Sequence, residues 1–109
     1  MKKIMTAHDE VMEKMPNLVK LINALKPKAD TTQAGQKYQL AIDSLKQSNK
    51  SMMTWMQGFG SRFTADEMYE RKALTEEKQQ WLTEEKTKVE TLRKEINARI
   101  KKAEQLLDN

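Results

Sequence analysis

The chain has no cysteine. Disulfides, thiolate zinc sites and cysteine nucleophiles are excluded with it. A single histidine rules out two-histidine metal motifs and histidine dyads. Two prolines and three glycines in 109 residues leave few places to turn, and a β-rich fold would need many more. No apolar run approaches the length of a membrane span. Phosphate-cradling glycine loops are absent too: the glycines of GFGS (58–61) follow a helical stretch and lack the Lys-Ser/Thr ending. The opening MKK resembles the start of a signal peptide, but no apolar segment follows it. The expectation is a soluble protein, or the mature part of an exported one.

Charge is plentiful. Charged residues make up 33% of the chain and aromatics 6%, with a mean hydropathy of -0.86. So polar a chain folds only if its apolar residues are well placed, as in a helical bundle or coiled coil. The formal net charge is +4; residues 1–63 carry ten Lys/Arg against five Asp/Glu, and residues 64–109 ten against eleven. Lys is interleaved with Glu, which reads as a solvated mixed-charge helical surface and not the dense basic stripe of a nucleic-acid binder. No nucleic-acid partner is expected. Attraction of residues 1–63 to an anionic surface would rest on net charge alone and vanish at moderate salt.

Apolar spacing predicts three helical stretches, at about 3–26, 32–57 and 64–108, and so an all-α antiparallel three-helix bundle or coiled coil. In the first, His8, Val11, Met15, Leu18, Ile22 and Leu25 alternate at steps of three and four. Pro16 should kink or restart that helix, and Pro27 should end it near Lys26. The second opens after KPKADTT, with Asp30, Thr31 or Thr32 as its cap. Its seam runs from Tyr38 through Ala41, Leu45, Ser48 and Met52 to Trp55 and Phe59, and Gly58 and Gly60 are expected to stop it. The third opens on a capping-box spacing, Thr64 and Glu67. Unbroken, it would be roughly 60 Å long and overhang the other two, leaving Ile96, Ile100 and Leu107 as an apolar stripe for a partner or a second copy. The alternative is a break near Lys72–Thr75.

Folding the first two stretches as a hairpin places facing residues at position sums near 60. His8 then lands near Met52, Met5 near Trp55 and Met56, and Met12 near Ser48. His8, Met12, Met52 and Met56 thus become a candidate metal set, because imidazole and thioether suit Cu(I). Core filling is the commoner use of methionine, which packs well on aromatic rings; on that reading no cofactor is needed. Catalysis finds no support: Ser44, Ser48 and Ser51 have no base placed by spacing, and Asp9, Glu10 and Glu13 read as a solvated face.

HDEVMEKM (8–15) and SMMTWMQGF (51–59) together resemble a family of small helical lipoproteins from Bacteroidetes-type bacteria, some of which carry the label "viral A-type inclusion protein". His8, Asp9, Glu10, Val11 and Met12 match the first block; Met52, Met53, Trp55, Met56 and Phe59 match the second; Tyr69 and residues 103–107 match a third part loosely. The resemblance implies a non-enzymatic helical structural or interaction module, the soluble part of an envelope lipoprotein of the periplasm or outer membrane. Membrane contact would then come only through a lipid anchor not present in this chain. Without that resemblance, a cytoplasmic protein is the alternative.

Overall fold

A computed structural model describes residues 1–108 and is all-α, with no strand among them. Four helices pack together: α1 Lys2–Leu25, α2 Gln33–Arg62, α3 Ala65–Met68 and α4 Glu76–Asp108, with a 3-10 turn at Lys26–Lys28. The whole measures 55 × 19 × 17 Å, a rod about two helix diameters across. Among the described residues no helix is long and apolar enough to cross a membrane.

Pro16 does not interrupt α1. It lies on the solvent side, where water can satisfy the carbonyl that proline leaves without a donor. Pro27 falls in the 3-10 turn, and α1 ends two residues before it. Thr32 caps α2, its hydroxyl accepting the Gly35 N–H at 3.0 Å. Asp30 braces the cap: its carboxylate accepts the Thr32 N–H at 2.8 Å and the Thr32 hydroxyl as well. Those two bonds, the hydroxyl first, lower the Asp30 pKa.

Gly58 and Gly60 do not stop α2, which continues to Arg62. A glycine inside a helix costs about 1 kcal/mol relative to alanine. Trp55, Phe59 and Phe63 follow at steps of four and are 8%, 5% and 3% exposed. Burying one such ring is worth up to about 3 kcal/mol, so the aromatic ladder outweighs two glycines. Trp55 and Phe59 stack with centroids 5.0 Å apart, and Phe63 follows at 5.1 Å.

The third stretch is broken. The capping box forms as expected, with the Thr64 hydroxyl accepting the Glu67 N–H and the Glu67 carboxylate accepting the Thr64 N–H at 2.9 Å. It holds only one turn of helix. Glu70 then takes a left-handed conformation (φ 61°), and the amides of Arg71 and Lys72 turn back to the Asp66 carbonyl at 2.7 and 3.2 Å. The chain re-enters helix at Glu76.

Cross-helix contacts fix the directions. Glu10 meets Arg93 at 3.2 Å, Lys14 meets Asn97, and Asn17 meets Glu104 at 3.5 Å, so numbers rise together in α1 and α4. Arg62 meets Glu84 at 2.7 Å while Ser48 meets Arg99 at 3.0 Å, so α2 runs against α4. His8 packs on Trp55, and Lys28 lies over Tyr38, so α2 runs against α1 as well. The core between them includes Val11, Leu18, Leu45, Met52, Val89 and Ile96. On α1 the buried line is Ile4, Ala7, Val11, Leu18, Leu21 and Leu25; His8, Met15 and Ile22 are only half-buried. The expected seam is thus rotated, because α1 wedges between two neighbours and its deepest line points at the gap between them.

The overhang is absent. Extension of α2 past Phe59 and the late start of α4 bring these two helices to roughly 45 and 50 Å, so they run alongside one another. Ile96 and Ile100, expected as a partner surface, are 0% and 6% exposed and belong to the core, and Leu107 is half-buried against it.

Candidate functional site

The SMMTWMQGFG segment faces two ways. Met52 lies in the core at 1% exposure and Trp55 beside it at 8%. Met53 and Met56, at 56% and 36%, face outward. On α1, Met12 and Val19 are also outward, at 40% and 54%. Their placement follows from what the opposite edges do. The α4-facing edge of α1 carries Glu10, Lys14 and Asn17; that of α2 carries Ser48 and Arg62. Met12 and Val19, seven residues apart, therefore line the far edge of α1. Met53 and Met56 line the far edge of α2. Both edges flank one α1–α2 seam, so the rod carries a strip of thioether and aliphatic surface there. Tyr69, 67% exposed, stands near its end, where it shares a shallow depression with Met5 and Met68.

His8 sits on this seam at the level of Trp55, with ring centroids 6.2 Å apart. That is almost a turn further along α2 than the hairpin expectation, which paired it with Met52. Asp9, read from the sequence as part of a solvated face, approaches it: His8 Nδ1 lies 3.2 Å from Asp9 Oδ1. A carboxylate there favours the Nδ1–H tautomer and leaves the Nε2 lone pair available. Of the proposed metal set, Met52 is in the core, His8 is half-buried, and Met12 and Met56 are on the surface. No three His, Asp or Glu side chains are grouped to hold a metal among the described residues.

Two buried carboxylates were not anticipated as such. Glu67, 3% exposed, accepts from Lys78 Nζ at 2.6 Å besides closing the capping box. The Lys78 bond first, then the Thr64 amide, hold its pKa down from 4.5 to about 2. Glu85, 2% exposed, lies 3.4 Å from both Arg62 and Lys88. Arg62 also bonds Glu84 at 2.7 Å and lies over the Trp81 ring at 5.2 Å. Both carboxylates are engaged by cations, and Glu67 also accepts the Thr64 hydroxyl at 3.1 Å as part of the cap. Sequence signals existed for Glu67 in the capping box; Glu85 looked like any other solvated Glu.

Two grooves lie between α2 and α4. The larger, about 670 Å³, lies against α2 where Ser51, Thr54, Trp55 and Gly58 face Glu85 and Leu92. The indole Nε1 of Trp55 is buried without a hydrogen-bond partner. The smaller, about 330 Å³, lies nearer the other end of the rod, between Leu40 and Ala41 on one side and Arg99 and Leu106 on the other.

No protein-family model, curated protein or solved structure matches the chain.

Proposed function

We propose that this protein is a non-enzymatic helical module that works by presenting surface to another protein or to a second copy of itself. Its architecture on this reading is an up-down-up antiparallel three-helix bundle of coiled-coil type, to which α3 adds a one-turn clasp. The supporting observation is the strip of Met12, Val19, Met53 and Met56 outside a filled core. Methionine surfaces adapt their shape to a partner, and exposed large apolar side chains gathered along one seam of a polar chain mark an interaction face. The partner surface is therefore the α1–α2 seam, since the α4 residues first expected to form it lie in the core or half-buried against it. The resemblance of residues 8–15 and 51–59 to envelope lipoproteins supports the further reading that this is the soluble part of such a protein, in the periplasm or at the outer membrane. The engagement of the buried Glu67 and Glu85 carboxylates by Lys and Arg side chains supports the non-enzymatic reading.

Oxidative footprinting tests the module reading. Dilute peroxide should oxidise Met12, Met53 and Met56 in the free chain and spare them at the concentration where sedimentation shows association, with Met52 slow in both states. A monomer at all concentrations, with no partner crosslinked in the envelope fraction, would remove the support for this reading.

A second reading is Cu(I) binding, favoured by the Asp9 carboxylate on His8 Nδ1. It requires Met12 and Met56 to close over His8 Nε2. A Cu(I) titration against a chromogenic chelator, with His8→Ala alongside, decides it: competition lost in the variant supports the site, and no competition removes it.

A further inference from the structure

The smaller groove has an unusual charge balance. Its lining cations are Lys37, Arg99 and Lys102, and its lining contains no acid. Arg99 is half-buried, and one amino group is held by two neutral acceptors, the Ser44 carbonyl at 3.3 Å and the Ser48 hydroxyl at 3.0 Å. Among the described residues none of the ion pairs involves Arg99, Lys37 or Lys102. The nearest acids by position are otherwise placed. Asp43 accepts from Gln39 at 2.9 Å, and Glu95, one turn before Arg99, lines the other groove.

A half-buried guanidinium costs desolvation that a counter-charge normally offsets. Here its position is fixed from behind by two serines while its charge stays unneutralised. The rest of the lining offers apolar surface on both sides: Leu40 and Ala41 on α2, and Leu106 two turns past Arg99 on α4. Leu40 is 69% exposed, the highest value among the chain's exposed large apolar side chains, and nothing in the core uses it. At about 330 Å³ the space is at the lower end of the range for small-ligand pockets.

We infer that this groove binds an amphiphile with an anionic head and a short aliphatic chain. The head, a carboxylate or phosphate, pairs with Arg99 and is steered by Lys37 and Lys102. The chain lies along Leu40, Ala41 and Leu106. This inference is independent of the α1–α2 strip, which lies on a different edge of the rod.

The test is an NMR titration of the full chain with sodium decanoate below its micelle concentration, following the Leu40 and Leu106 methyls. 1-Decanol and phosphatidylglycerol vesicles form parallel arms. Decanoate should saturate those shifts, and decanol should bind at least about tenfold more weakly, the worth of a charge-assisted bond. Arg99→Gln should weaken decanoate about tenfold on the same ground. Should that variant fail to fold, two exposed positions carry the test. Lys102→Gln should weaken binding about threefold, and Leu40→Ser about fivefold. Equal binding of decanol and decanoate, unsaturable shifts, or binding to vesicles without binding to monomeric decanoate would each overturn the inference.

Discussion

The same substitution, glycine to alanine, should have opposite signs at two positions of α2. At Gly35 a methyl group would overlap the Asp30 carboxylate, standing 2.5 Å from its Cγ, and would stand 2.6 Å from the Asp30 backbone nitrogen. A side chain could swing aside, but the backbone nitrogen could not. Segment 29–32 would have to shift, straining the two Asp30–Thr32 bonds and the Thr32 cap. Loss of a cap costs about 0.5–2 kcal/mol, and the strained bonds to the Asp30 carboxylate add to it. Against this stands about 1 kcal/mol gained from alanine in a helix. The net expectation is destabilisation by about 1–3 kcal/mol. At Gly58 an added methyl meets nothing within 4 Å. Only the helix gain remains, about 0.5–1 kcal/mol of stabilisation, or a Tm rise of about 4 °C. Urea unfolding at constant slope measures both. Gly35→Ala as stable as the parent would mean that Asp30 is not seated over the start of α2. Gly58→Ala less stable than the parent would mean that α2 is not continuous helix there.

Glu70 holds a left-handed conformation that costs an L-residue about 1–2 kcal/mol, so Glu70→Gly should stabilise by about 0.5–1 kcal/mol after the added chain entropy; thermal melts check this. Met52→Ala should cost about 2–5 kcal/mol and Met53→Ala no more than about 0.5, a contrast that denaturant titration of the two variants resolves. The folded-state pKa of Glu67 lies below its ordinary value, so its contribution is complete above 4.5 and fades as pH falls toward about 2. Urea midpoints taken from roughly pH 5 to pH 2 should therefore fall more steeply in the parent than in Glu67→Gln; parallel profiles would contradict the assigned bond to Lys78.

The all-α class and the first two helix starts could be read from apolar spacing and caps, because those are local signals. Thr32 and the Thr64–Glu67 box were both visible in this way. The end of α2 was not. Glycine is the residue most often found after a helix, yet here the next turn carries Phe59 and Phe63, and burial of their rings decides. Overestimating α4 and underestimating α2 together produced an overhang that does not exist, and with it a partner stripe at Ile96 and Ile100. Two exposed methionines of the candidate metal set looked like core from spacing alone. A heptad pattern gives a line on a helix, and a helix wedged between two others buries a line displaced from it. Leu40 and Arg99 carried no sequence signal at all; only their meeting across α2 and α4 makes a pocket.

α1 and α4 run the same way. Met1 lies by the turn near Leu74, at the tip opposite Asp108. A first and a last long helix that point the same way make the molecule a spacer. Anything joined ahead of α1 and anything joined after α4 would be held apart along the 55 Å axis, and a tether at the first tip would leave the Arg99 groove on the far half of the rod.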